Sequence, residues 1–313
     1  MRFPPSNNLT DLIQNSFKEV WRGSSFVWNM KDSVTYGFRD FSIEDVFPWT
    51  RYLTTNYELQ WDDFESWSFF FRNTWAVPVL VSIVYALLVP LGQRIMKNRA
   101  PMGLRYPLFL WNLGLAIFSI IGTLRVLPTF LYGIARNGFT YYICREAAVG
   151  FGRGPIGFWS VLFVLSKYAE LLDTLFLILR KKPVPFLHWY HHASVLLLSI
   201  GTTMIRGPTG IIMIAMNYFV HSVMYSYYAI AAISRPPRWG KMVTILQIAQ
   251  MVGGLCMCVG MYRAARKVEN CEVQSANGIV IALIYASYLV LFVQFFMGRY
   301  VKSSTSLSMK KSN

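Results

Sequence analysis

Residues 184–204 read VPFLHWYHHASVLLLSIGTTM, a run without a single Asp, Glu, Lys or Arg. A helix needs about 20 mostly apolar residues to cross the hydrocarbon core of a bilayer, and this stretch is long enough. Set into it are His188, His191 and His192, an HxxHH cluster. The fourth and last histidine, His221, stands in the next apolar stretch, in Asn217-Tyr218-Phe219-Val220-His221. Histidine is suited to proton transfer, nucleophilic attack and metal ligation near neutral pH. Polar groups in membrane segments are costly and default to function. One chemical site inside a membrane protein is the expectation.

Composition agrees. The chain has 313 residues, 54% hydrophobic and 14% charged, well under the roughly 25% charged of a soluble domain. Its net charge of +15 belongs to loops and segment ends, where Lys and Arg set topology and meet anionic lipids. No basic helix or RNA-binding motif accompanies that charge, so no nucleic acid is expected as a partner. Residues 1–74 are polar and mixed in charge, without an early apolar run, so no cleavable signal peptide is expected and the first membrane segment serves as the insertion signal. Four cysteines are too few for a disulfide scaffold.

Working outward from 184–204, seven apolar segments are predicted: 75–95, 108–132, 156–179, 184–204, 211–233, 243–261 and 278–297. The third is interrupted by Lys167, Glu170 and Asp173; the seventh reads as clean. One set of alternate loops holds Arg94, Lys97, Arg99, Arg105, then Arg180, Lys181, Lys182, then Arg235, Arg238, Lys241, then Arg299, Lys302, Lys310, Lys311, with no acid among them. The positive-inside tendency puts this set in the cytosol, leaving the N-terminus lumenal and the C-terminus cytosolic. Three features agree. Asn8 begins a glycosylation sequon on the lumenal tail. Lys310-Lys311 resembles a dilysine retrieval signal of endoplasmic-reticulum membrane proteins. Cys144 and Cys271 fall in lumenal loops, where a disulfide is permitted. Cys256 and Cys258 read as packing residues.

The polar residues inside the segments are ordered. Lys167, Glu170, Asp173 and Thr174 share one helix face, as do His188, His191 and His192, then Asn217, His221, Tyr225 and Tyr228, then Thr244, Gln247 and Gln250. Four such stripes are economically explained by a shared cavity, although Lys167 with Glu170 or Asp173 is equally readable as a register-fixing ion pair. Two chemistries compete. A di-iron desaturase or hydroxylase needs about eight nitrogen ligands, and only four histidines exist. A single zinc on three histidines is strained, because His191 and His192 point about 100° apart around a helix. Metal-free acyl transfer fits better: an imidazole attacks a thioester to form an acyl-imidazole, a second histidine and Asn217 stabilise developing negative charge, and cations at the mouth hold a phosphorylated carrier. A seven-helix lipid receptor or transporter is the non-enzymatic alternative.

Taken in order, Lys167-x-x-Glu170-x-x-Asp173-Thr174, His188-x-x-His191-His192, Asn217-x-x-x-His221-x-x-Met224-Tyr225-x-Tyr227-Tyr228 and Thr244-x-x-Gln247-x-x-Gln250 resemble the fatty acid elongases of the ELO family, over residues 75–302. The Lys181-Lys182-Pro183 flank is similar too, with Val184 and Pro185 as a small departure.

The resemblance implies an all-α membrane fold of seven transmembrane helices, six of them ringed around an acyl-chain tunnel. It divides the chain into a lumenal extension of unknown role (1–74), an elongase domain (75–302) and a cytosolic tail (303–313). It implies the condensing reaction, in which acyl-CoA and malonyl-CoA give a 3-oxoacyl-CoA two carbons longer, carbon dioxide and CoA. His191 would carry the acyl group, His221 and Asn217 would assist decarboxylative attack, and His188 and His192 would orient and relay protons. Lys167, Glu170, Asp173, Tyr225, Tyr228, Gln247 and Gln250 would contact substrate. Lys181, Lys182, Arg238, Lys241 and Arg299 would meet CoA phosphates. Cys144 and Cys271 would pair. No metal and no bound cofactor are expected beyond CoA thioesters as substrates. The expected partners are the bilayer, the reductase and dehydratase enzymes of the elongation cycle and a second copy of the chain.

Overall fold

The computed structural model describes residues 54–268, 271 and 275–301. The Asn8 sequon, Lys302, the Lys310-Lys311 tail and most of the N-terminal extension lie outside them. The described residues are helical, with no strand among them. Two short helices, α1 (Asn56–Gln60) and α2 (Phe64–Asn73), lead into α3 (Ala76–Met96) and the long α4 (Arg105–Asn137). Two more short pieces, α5 (Phe139–Cys144) and α6 (Ala147–Gly150), precede α7 (Gly154–Glu170) and α8 (Leu172–Leu179). Then follow α9 (Phe186–Met204), α10 (Gly210–Ile233), α11 (Gly240–Lys267) and α12 (Ser275–Phe296), which runs into a π-helical turn, Met297–Val301.

Four stretches are long and apolar enough to cross a membrane: 76–96, 105–135, 240–267 and 277–301. The other expected spans fall short for a reason tied to the site. The segment 156–179 is split at Leu171, where tight turns (Leu171 N–H to the Tyr168 carbonyl, Thr174 N–H to the Leu171 carbonyl, both 3.3 Å) separate α7 from α8. Helices α9 and α10 carry the histidines, Asn217 and several tyrosines, which dilute their apolar character. The lipid-facing character of α3 is plain: Leu80, Leu87, Leu88 and Leu91 stand exposed along it, as a bilayer-embedded helix requires.

Helices α4 and α10 pack along most of their length. Gly122 makes this approach possible: a Cβ there would lie 2.3 Å from the Tyr218 ring. The Tyr218 hydroxyl in turn donates to the Trp159 carbonyl at 2.9 Å. Gly254 plays the same part between α11 and α12, admitting Tyr285. Among the described residues the larger of two core clusters runs through α4, α7, α9, α10, α11 and α12, and a smaller one joins Leu115 and Ala116 of α4 to Tyr225 of α10.

The loops gather at two ends. At the basic end, the Met102 N–H donates to the Leu179 carbonyl at 3.0 Å, Lys181 Nζ donates to the carbonyls of Lys97 (2.9 Å) and Arg99 (3.0 Å), and the Arg105 guanidinium donates to the Ile233 carbonyl. At the other end, Cys144 and Cys271 form a disulfide, and Arg206 Nη1 meets Glu146 at 3.0 Å and Glu65 at 3.2 Å.

The short α1 and α2 cover this disulfide end. Thr55 and Glu58 form a reciprocal capping box. Glu58 is buried and also accepts from Arg125 Nε at 3.1 Å and from Trp159 Nε1. Burial pushes the Glu58 carboxyl up, but the bonds from Trp159, the Thr55 backbone, Arg125 and the Thr55 hydroxyl outweigh it and hold it below the ordinary carboxylate value. On α2, Ser68 Oγ donates to the Thr203 carbonyl and Arg72 Nη2 to the Met204 carbonyl, both at 2.9 Å. Both carbonyls belong to the last turn of α9, where the regular helical pattern runs out, and that of Thr203 also accepts the Arg206 N–H at 3.0 Å. Residues 54–74, for which no role was legible, therefore close this end of the bundle.

Candidate active site

A cavity lies between α7, α9, α10, α11 and α12. Its wall is mostly apolar, with Phe163, Leu198, Met213, Ile214 and Met251 among its residues. His191, Asn217 and Gln250 are polar members of that wall, and Thr202, Thr203 and Gly210 belong to the disulfide end. From His191 to Thr203 the axis of α9 rises about 18 Å.

The stripe on α7 stands behind this wall. Lys167, 2% exposed, donates from Nζ to Glu170 Oε1 at 2.6 Å and to Asn217 Oδ1 at 3.0 Å. It also lies 4.1 Å from the centre of the Phe163 ring, a favourable place for a cation. The bond from Lys167 decides the orientation of the Asn217 amide. With Oδ1 occupied, Nδ2 must face His221 Nε2, 3.1 Å away, and there it can only donate. His221 Nε2 is therefore the acceptor, and a neutral His221 carries its proton on Nδ1, which lies 3.9 Å from Glu170 Oε1. Lys167, Glu170, Asn217 and His221 make one buried network.

A second network holds the other histidines. The Tyr85 hydroxyl meets Thr174 Oγ1 at 2.6 Å, and Thr174 Oγ1 meets His188 Nε2 at 2.9 Å. Asp173 accepts from Trp111 Nε1 at 2.6 Å and from the Tyr225 hydroxyl at 2.9 Å. His192 Nε2 lies 4.0 Å from Asp173 Oδ2, and its ring is 4.5 Å from that of His188. The ~100° step between adjacent helix residues thus separates roles: His192 turns toward Asp173, and His191 turns to the cavity. Among the described residues the His191 ring makes no side-chain hydrogen bond. It is flanked by Tyr288, 4.9 Å between ring centres.

Several expected substrate contacts are placed otherwise. Lys167 bonds Glu170 directly, Tyr225 bonds Asp173, and none of the four lines the cavity. Tyr228 is 43% exposed and Gln247 Nε2 points at Met224 Sδ, 3.1 Å away; only Gln250 of that group lines the cavity. Lys181 spends donors on backbone carbonyls of the basic end. Lys182, Arg238, Lys241 and Arg299 are exposed there. The seventh segment is not clean. Tyr285 and Tyr288 of α12 line the cavity, Tyr288 shares a 2.7 Å hydrogen bond with Ser194, and Ser287 one of 2.8 Å with Tyr190. Their spacing of three residues could have flagged one helix face, but tyrosine among Leu and Val reads as apolar. No group of three or more His, Cys, Asp or Glu among the described residues is arranged to hold a metal ion.

Helices of membrane-spanning character around an apolar cavity, with histidines that meet Asn217, Thr174 and Asp173, define a membrane protein with a lipid-compatible polar site. Comparison with known proteins gives the family. The family model of the GNS1/SUR4 family, ELO, matches residues 70–308. Putative fatty acid elongase 4 of Caenorhabditis elegans is 37% identical over 274 residues, 83% of this chain and 92% of that one. Very long chain fatty acid elongase 6 of Gallus gallus is 40% identical over 256 residues (80% and 93%), and that of Homo sapiens 40% over 235 residues (74% and 86%). The chain belongs to the ELO family of fatty acid elongases.

Proposed function

We propose that this protein is the condensing enzyme of fatty acid elongation, joining an acyl-CoA to two carbons of malonyl-CoA. The observation that carries the reading is the placement of His191. His188 and His221 are bound to Thr174 and Asn217, and His192 faces Asp173; His191 opens onto an apolar cavity beside an amide whose N–H is aimed by Lys167. An unprotonated imidazole there attacks the thioester carbonyl. The bond to sulfur breaks, the CoA thiolate takes up the N–H proton that the attacking imidazole gives up and leaves as the thiol, and the acyl group rides on His191. Malonyl-CoA then loses carbon dioxide, and the enolate carbon attacks the acyl carbonyl, releasing a 3-oxoacyl-CoA and an imidazolate that regains one proton from solvent. The Asn217 amide supports oxyanion or enolate charge in both halves. Asn217 and Glu170, on either side of the ring, hold His221 in one tautomer.

The same reading supplies topology. The acyl chain occupies the cavity toward the disulfide end, and the CoA phosphates meet Lys182, Arg238, Lys241 and Arg299 at the basic end. That end then faces the cytosol, and the disulfide end the lumen of the endoplasmic reticulum, with α7–α8, α9 and α10 completing seven spans around the tunnel. A low-water pocket also protects an acyl-imidazole from hydrolysis. The test uses microsomes containing the protein, labelled malonyl-CoA and acyl-CoAs from short to very long. Labelled 3-oxoacyl-CoA two carbons longer than the acceptor is the expected product. Saturable acyl-CoA binding with no CoA release at any chain length would overturn the reading.

A further inference from the structure

A second, smaller cavity lies beyond the first, against Ile205, Gly207, Pro208 and Thr209 of the α9–α10 turn and Met261 and Ile281. One described residue lines both cavities: Thr202. Its hydroxyl donates to the Leu198 carbonyl at 2.8 Å, and this back-bond together with the stiff β-branched χ1 fixes where its methyl points. Thr202 Cγ2 is the nearest heavy atom to a Cβ built at Gly207, at 2.9 Å, and to one built at Gly210, at 3.5 Å. Gly207 belongs to the second cavity and Gly210 to the first. The methyl therefore stands between the two spaces.

We propose that the Thr202 methyl is the stop for the far end of the acyl chain and sets the longest product, an inference that rests on the elongase reading. Thr202 lies eleven residues beyond His191, a rise of about 16 Å along the helix. With C–C bonds near 1.5 Å, an extended chain advances roughly 1.3 Å per carbon, so the wall from His191 to Thr202 spans about a dozen carbons. Removing the methyl joins the second cavity to the first and admits at least one further two-carbon unit. Gly210 works from the opposite side. An alanine Cβ there makes ordinary contacts with Thr202 Cγ2 and with Phe151 Cζ at 3.6 Å, so the fold accepts it while the floor of the first cavity rises.

The experiment incubates full-length protein in lipid nanodiscs with malonyl-CoA and saturated acyl-CoAs of increasing length. It reads the ratio of the longest product to the product two carbons shorter, which is independent of total rate. Thr202→Ser, which removes only the methyl, and Thr202→Ala raise that ratio about tenfold, the discrimination that two buried methylenes carry. Thr202→Val, which keeps both branches, restores the original ratio, and Gly210→Ala lowers it. If all proteins condense and the ratio is the same in Thr202→Ser, Thr202→Ala and Gly210→Ala, the stop is not Thr202 and the inference falls alone. If the wild type condenses no acyl-CoA, the elongase reading falls and takes this one with it.

Discussion

Replacing Lys167 by Met separates the structural from the chemical work of the network behind His191. The ammonium bonds Glu170 Oε1 at 2.6 Å and Asn217 Oδ1 at 3.0 Å, and both charged side chains are about 97% buried (2% and 3% exposed). Glu170 Oε2 has no hydrogen-bond partner among the described residues. Removing the cation strands a buried carboxylate already short of partners, which costs about 3–5 kcal/mol. The double variant Lys167→Met/Glu170→Gln removes both charges and recovers most of that loss, since neutral replacements of a buried pair are often no worse than the pair. Condensation responds differently. In both variants Asn217 Oδ1 is released, the amide is free to turn, and the donor facing His221 and the cavity is no longer fixed. Loss of one such donor lowers turnover about 10²–10³-fold. Thermal unfolding in detergent gives the stability arm, and labelled malonyl-CoA incorporation the activity arm. The expected pattern is a double variant with near-native stability and strongly reduced turnover. A double variant as active as the wild type would refute the claim that Lys167 aims the Asn217 amide; a Lys167→Met protein destabilised by under about 1 kcal/mol would refute the buried-pair energetics.

Three further outcomes are expected. The Cys144–Cys271 bond closes a loop with a sequence separation of 127, so reduction, or Cys144→Ser, lowers stability by about 2–5 kcal/mol, seen in thermal unfolding with and without reductant; Cys258→Ser, at a free cysteine, keeps the wild-type loss on reduction, whereas Cys144→Ser shows no further loss. Gly122→Ala forces the Tyr218 ring to move and destabilises by about 1–3 kcal/mol, whereas Gly114→Ala on the same helix, with nothing within 4 Å of the added Cβ, does not; matched melting curves decide it. Glu58 titrates lower in the folded state than in the unfolded state, so its stabilisation is present at neutral pH and lost as pH falls through its folded value. Glu58→Gln should therefore lower stability at neutral pH and flatten the acid limb of the stability curve, and an unchanged limb would show that the Arg125–Trp159 cluster is not held by that charge.

Much of the framework was legible because hydrophobic length and a tally of four histidines are strong signals. The apolar runs located the long helices to within about six residues at either end, and HxxHH with Asn217 and His221 marked residues that the fold gathers at and around one cavity. The readings that needed revision share a physical cause. Periodicity places a residue on a helix face but not at a depth, so it does not show that Lys167, Glu170, Asp173 and Tyr225 bond one another and their neighbours without lining the cavity. Leu171 carries no breaker signal, so the tight turn between α7 and α8 was not legible in the local sequence. Tyr285 and Tyr288 hid in an apolar run because tyrosine is amphipathic. Helices α1 and α2 are short and mixed in polarity, and what holds them, Ser68 and Arg72 on the end of α9, is contact across about 135 residues of chain that no local pattern encodes.

The most direct measurement of the central claim takes the purified protein, an acyl-CoA and no malonyl-CoA. Released CoA is counted, and the peptide containing residues 188–192 is sequenced by fragmentation mass spectrometry. One CoA per active site and an acyl mass on His191, absent in His191→Ala, are the expected result. Full condensation by His191→Ala, or CoA release without any acyl mass on that peptide, would contradict the assignment of His191 as carrier.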